Sequence, residues 1–259
     1  MKWLELDPGA TRYDVVGDGQ LIVLLHEMGG SIESFDPLMD LLGGAGRILR
    51  YDLRGFGGAS KVRGTVDLDV HVRDLELLLA RLADTGTVHL CGMATGAAVA
   101  LRFAARFPDR VRSLLLMSPS LGISPERRAA VLARADRIDA DGMLGIADDE
   151  LALTYPEPLR GDGRFADYRA RWLGNDPASY AATYRMLVHL DMVRDLTAVG
   201  CPSLLLAGEQ DPLRPPALIS QAARMMRNAR FQPLPGAHVL AFQSPSAVSE
   251  AARPLWCKG

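Results

Sequence analysis

Two apolar patterns alternate along most of this chain. Short aliphatic runs such as "QLIVLLH" from Gln20, "TVHLCG" from Thr87, "RVRSLLLMSPS" from Arg110 and "CPSLLLAGEQD" from Cys201 are bounded by glycine, proline or polar residues. Runs of this kind predict strands buried on both faces of a parallel sheet. Between them, "LDVHVRDLELLLARLADTG" and "PALISQAARMMRN" space apolar residues three and four apart, which predicts amphipathic helices, the first stopping at Gly86. "RYDVVGDG" and "GRILRYDLRGFGGAS" predict further strands that end in turn signals. "FDPLMDLLGG" predicts a short helix, and "ARFQPLPGAH" and "SPSAVSEAARPLW" close the pattern. Strands alternating with helices predict an α/β fold, a mostly parallel sheet flanked by helices.

The rhythm breaks between residues 121 and 195, where no strong strand candidate occurs. Ser124 followed by Pro125 predicts a helix start, and helical spacing recurs in "PERRAAVLARADRI", "FADYRARWL" and "ASYAATYRMLVHL". This segment is expected to be a helical cap inserted into a core made of residues 1–120 and 196–259. The length of 259 residues, 48% of them hydrophobic, suits one large domain with such an insertion. A net charge of −2, from 29 basic and 31 acidic residues, gives no reason to expect nucleic acid or an anionic membrane as partner. The longest aliphatic run, Leu21 to Leu25, is far too short to span a bilayer, and "MKWLELDPGA" lacks an apolar signal region, so a cytoplasmic protein is expected. Cys91, Cys201 and Cys257 are scattered and suggest neither a disulfide framework nor a zinc site. No metal and no cofactor are expected, the expected partner is a small-molecule substrate, and monomer and homo-oligomer both stay open.

The chemistry concentrates in loops at the predicted carboxyl ends of strands, where open parallel sheets bind ligands. Gly92-Met93-Ala94-Thr95-Gly96 lies between a strand and a helix of small residues that ends where Phe107 meets Pro108. It has the form of the nucleophile elbow, G-x-S-x-G, with Ala94 where the serine belongs. Asp211 in "LLLAGEQDP" and His238 in "PLPGAHVLAF" follow in the order elbow, acid, histidine. An aspartate placed this way orients an imidazole that serves as general base. The loop "HEMGG" and the N–H of Thr95 are candidate donors to an oxyanion. His71, His89 and His189 are expected to be structural, and Cys91 a small buried hydrophobe. Thr95, Ser118 and Ser120 are the hydroxyls that could reach the same pocket.

These pieces resemble the α/β-hydrolase superfamily, and within it the branch typified by 3-oxoadipate enol-lactonase. The likeness covers nearly the whole chain through "LLHEMGGSIESFDP", "RYDLRGFGGAS", "CGMATGAAVALRFAARFPDRVRSLLLMSP", "CPSLLLAGEQDPLRPP" and "PGAHVLAFQSP". It implies Asp211 as triad acid, His238 as base, and Met28 and Thr95 as oxyanion-hole donors, with Ala94 at the nucleophile's position. Two positions depart from the pattern: Ala94 for serine, and Glu27 where many relatives carry glycine. Glu27 and Trp172 are the candidate substrate contacts, and the cap arginines are candidates for a substrate carboxylate. The implied activity is on a small carbonyl compound: an ester, an enol-lactone, or a C–C bond beside a ketone. Ala94 leaves three possibilities open. It is native, and His238 activates water or substrate directly; or it replaces the serine of a serine hydrolase; or the chain is a non-catalytic small-ligand-binding protein on a hydrolase fold.

Overall fold

The computed structural model describes residues 1–82 and 84–256, so Cys257 lies outside the described residues. Eight strands form one sheet: β1 (Lys2–Glu5), β2 (Ala10–Val16), β3 (Leu21–Leu25), β4 (Arg47–Tyr51), β5 (Val88–Met93), β6 (Val111–Met117), β7 (Ser203–Gly208) and β8 (Ala229–Leu234). Their spatial order is β1-β2-β4-β3-β5-β6-β7-β8. The pairings β1–β2 and β2–β4 are antiparallel and all others are parallel. The helices are α1 (Asp36–Met39), α2 (Leu68–Arg81), α3 (Thr95–Arg106), α4 (Pro125–Asp141), α5 (Ala147–Thr154), α6 (Arg164–Leu173), α7 (Pro177–Val188), α8 (Val193–Ala198), α9 (Pro216–Met225), α10 (Leu240–Gln243) and α11 (Pro245–Trp256).

Burial explains which segments became central strands. Every residue of β3, β5 and β7 is buried, as their unbroken apolar runs require. The edge strand β8 has three of its six residues exposed and tolerates Pro233, which removes a donor that a central strand would need. The short, exposed β1 had no pattern of its own and owes its strand geometry to pairing with β2. Helix α2 starts at an Asp67 cap that accepts from Val70 N–H at 3.0 Å, and ends at Arg81, short of Gly86. Its buried face of Leu68, Val72, Leu75, Leu78 and Leu79 follows the helical period.

The topology fixes where a ligand can sit. From β3 the chain moves outward to β4, then returns across β3 to β5. Connections diverge between β3 and β5, which opens a crevice at their carboxyl ends. Helices α4 to α7 follow β6 and contribute no strand to the sheet among the described residues. An antiparallel bridge between Gly122 and Asp191 joins the two ends of this helical segment. The expected boundary at residue 195 falls inside α8, whose Asp195 accepts from Arg102 Nε of α3 at 2.8 and 2.9 Å. That tie fastens α8 to α3, in the layer flanking the sheet. At the start of the helical segment, Ser124 is the N-cap and Pro125 the first helical residue, but the Ser124 side chain makes no capping bond. Among the described residues, no helix is long and apolar enough to cross a membrane.

Candidate active site

The elbow is built although its hydroxyl is missing. Ala94 has φ 49° and ψ −109°, a backbone geometry that costs a side-chain-bearing residue roughly 1–3 kcal/mol. Surrounding bonds hold it there: Ala94 N–H donates to Met117 C=O at 2.9 Å, and its own carbonyl accepts from Ser120 N–H at 3.0 Å. Flanking glycines let the turn pass close to its neighbours. A Cβ at Gly96 would lie 2.2 Å from the Leu25 carbonyl oxygen, and one at Gly92 would lie 2.5 Å from Ala97 Cα. Thr95 is the first residue of α3, so its N–H has no intrahelical acceptor and lies at the positive end of the helix.

The loop after β3 is pinned by His26. Its Nε2 accepts from Leu53 N–H at 2.8 Å, which leaves Nδ1–H to donate to the Glu27 carbonyl at 2.7 Å. Burial lowers its pKa, so the neutral ring this pattern needs is the favoured form. Glu27 follows, buried, with Oε1 accepting from Ser34 Oγ at 3.0 Å and Oε2 without a hydrogen-bond partner. Gly30 makes room for this carboxylate, because a Cβ there would meet it at 2.5 Å.

Asp211 and His238 come together from the loops after β7 and β8. His238 Nδ1 and Asp211 Oδ2 are 2.9 Å apart, while Asp211 Oδ1 accepts from the N–H groups of Leu213 at 2.9 Å and Arg214 at 3.0 Å. Burial on its own would raise the Asp211 pKa. The charge and hydrogen bond of His238 and the Arg214 N–H outweigh it and bring it down to about 2. An ionised aspartate on Nδ1 leaves Nε2 as the free imidazole nitrogen.

Glu27, Met28, Ala94, Thr95, Ser120 and His238 all line one cavity of about 60 Å³. The helical segment supplies most of its other walls, including Val131 and Arg134 of α4, Glu150 of α5, Tyr168 of α6, and Tyr180 and Tyr184 of α7, while Leu213 and Arg214 line it from the loop after β7. Tyr184 O–H donates to Glu150 Oε2, and Arg134 pairs with Glu150 Oε1 at 2.7 Å. Trp172 is not among the residues that line the cavity. Its indole N–H donates to the Tyr180 hydroxyl at 2.9 Å and its ring meets Tyr180 edge-on, so it supports a wall residue from behind. Ser118 is likewise buried against Asp211 and does not line the cavity, whereas Ser120 does. His89 is bonded within the sheet to Ser113 Oγ at 2.6 Å, His71 is buried in α2, and His189 is exposed. Among the described residues no cluster of histidine, cysteine and acidic side chains is placed to hold a metal.

An α/β sheet with an elbow, an acid and a histidine in this order is matched by the family model described as "Alpha/beta hydrolase family" over residues 22–251. The chain belongs to the alpha/beta hydrolase family. The structure superposes on the enol-lactonase from Burkholderia xenovorans with a TM-score of 0.92 and 22% identity, covering 99% of this chain and 100% of that one. A thermophilic esterase from Thermogutta terrifontis gives a TM-score of 0.88 at 25% identity, covering 95% and 92%. In sequence, the chain is 23% identical over 256 residues to (E)-2-((N-methylformamido)methylene)succinate hydrolase from Acinetobacter baylyi, covering 96% of this chain and 95% of that protein. The α/β-hydrolase character is therefore shared by sequence and fold. Sequence reasoning missed Arg214, Glu150 and the three tyrosines as cavity walls.

Proposed function

We propose that this alpha/beta hydrolase acts on a small carbonyl compound, an ester, lactone or C–C bond beside a ketone, without an acyl-enzyme. The observation that carries the proposal is the Asp211–His238 hydrogen bond at 2.9 Å beside an elbow that ends in a methyl group. The carbonyl oxygen is received by the N–H groups of Met28 and Thr95. Nε2 of His238 takes a proton from water, or from the substrate itself, and Asp211 stabilises the imidazolium that forms. Where water attacks, the tetrahedral intermediate carries its negative charge in the oxyanion hole and collapses with return of the proton to the leaving group. The small cavity favours compact substrates over polymers, and hydrolase and lactonase names among the relatives support the reaction class. Monomeric and homo-oligomeric forms are equally compatible with this site.

The test is turnover of a panel of short esters and lactones by the chain with Ala94, beside Ala94→Ser and His238→Ala. Activity that needs His238 but not a serine supports the proposal. Activity that appears only in Ala94→Ser overturns it in favour of a serine hydrolase whose nucleophile is replaced. Ligand binding without turnover in all three overturns it in favour of a binding protein.

A further inference from the structure

One wall of the cavity carries a guanidinium that no carboxylate among the described residues pairs with directly. Arg214 is only 6% exposed, yet among the described residues no carboxylate lies within ion-pair distance of its guanidinium. Nε–H donates to the Pro119 carbonyl at 3.2 Å and Nη1 to the Leu213 carbonyl at 2.8 Å, while Nη2 has no acceptor among the described residues. The nearest acid, Asp211, is already committed to His238 and to two backbone N–H groups. The guanidinium lines the cavity together with His238 and Ala94. A second cation, Arg127 in the first turn of α4, lines the same cavity near enough to add to the positive potential at Arg214. Arg134, the third arginine of the cavity, is neutralised by Glu150. A buried arginine is stable when hydrogen-bonded and paired, and here the pairing is left to whatever fills the cavity.

The geometry points to Arg214 as the anchor for a carboxylate on the substrate, so that the enzyme takes small anionic carbonyl compounds. This deepens the proposed function and rests on it for the word substrate. The sheet order also orients such a molecule. Glu27 follows β3 and Arg214 follows β7, with β5 and β6 between them, a separation of three strand spacings or roughly 14 Å. The elbow after β5 lies between these two loops. A carboxylate is drawn to the Arg214 side and repelled from the Glu27 side, while the unpartnered Glu27 Oε2 accepts a hydroxyl or amide N–H from the other end. A guanidinium with two free N–H donors on Nη2 suits a carboxylate oxygen.

The experiment measures binding, not turnover, so that it does not fall with the catalytic proposal. Titration calorimetry compares levulinate and succinate with the neutral analogue levulinamide on the whole chain, on Arg214→Gln and Arg214→Lys, and on Arg127→Gln. The expected result is that the anions bind at least about tenfold tighter than levulinamide, the scale of one charged hydrogen bond. Arg214→Gln should remove that preference, Arg214→Lys should keep part of it, and Arg127→Gln should reduce it less than Arg214→Gln does. Circular dichroism and the low-field His238 ring proton report whether each variant keeps its fold and its Asp211 hydrogen bond. Equal binding of levulinate, succinate and levulinamide by the unaltered chain overturns the assignment without any variant. An anion preference that survives in a folded Arg214→Gln overturns it as well. If the preference depends on Arg214 but no ester or lactone is turned over, the anion site stands and the catalytic proposal fails.

Discussion

The elbow after β5 and the loops after β7 and β8 serve the same cavity but keep different things. The elbow keeps its backbone: a φ of 49° at Ala94, held by bonds to Met117 and Ser120 and by the close passes at Gly92 and Gly96. It lacks the side chain for which such a turn is normally built. The loops after β7 and β8, the proposed acid and base loops, keep a bonded Asp211–His238 pair, down to the two N–H groups that hold Asp211 Oδ1. On the proposed reading the difference separates oxyanion binding from nucleophilic attack, because the first rests on N–H groups and a helix terminus while the second needs one hydroxyl. In a working triad, loss of the serine costs roughly a millionfold in turnover, or about 8 kcal/mol of barrier. A site that depended on acyl transfer would be silenced by that amount. The same site using His238 on water or substrate would not be.

The comparison breaks first at His238. His238→Ala should lower turnover by about a thousandfold, close to 4 kcal/mol, within the range of general acid–base catalysis. A loss of less than about tenfold in initial-rate assays would mean that the acid and base loops are scaffold like the elbow. On the elbow side, Gly96→Ala forces a Cβ against the Leu25 carbonyl and should destabilise the fold by roughly 3 kcal/mol in urea denaturation. Unchanged stability would show that the turn is not tightly constrained. The acid limb of stability sharpens the other side. Asp211 has a folded pKa of about 2, below its unfolded value, so its contribution is complete above about pH 4 and is lost as pH falls toward 2. That contribution is roughly 2 kcal/mol by linkage, and Asp211→Asn should flatten the stability profile across this window. The smallest effect is expected behind the cavity wall. Trp172→Phe removes the hydrogen bond to Tyr180 and should cost about 1 kcal/mol of stability while leaving KM unchanged. A large rise in KM would restore Trp172 as a substrate contact.

Much of this site was legible because three of its loops follow strands with unbroken apolar runs. Met28, Ala94 and Asp211 follow β3, β5 and β7, while His238, after the mixed edge strand β8, was reached through chain order and its own loop "PGAH". The roof was not legible. Its helices could be read from spacing, but which side chains face the cavity depends on how α4 packs on α7 and how α6 meets the loop after β3. Trp172 illustrates this, since its neighbour Tyr180, eight residues on, takes the inward position and the indole fills the space behind. Arg214 had one signal, a charged residue in "DPLRPP" directly after the acid, but an arginine there usually reaches solvent. Here it is buried, with Nε–H on the Pro119 carbonyl just beyond β6, a partner 95 residues away in sequence. The short β1 was invisible for a similar reason, because only its pairing with β2 makes it a strand.

The most direct test of catalysis without an acyl-enzyme is the intact mass of the chain, quenched during turnover of a short ester or lactone. Product should accumulate while the protein mass stays that of the unmodified polypeptide, with no burst in the first turnover. An acyl adduct in stoichiometric amount, mapping to Thr95, Ser120 or any other cavity hydroxyl, would contradict the account and identify a displaced nucleophile.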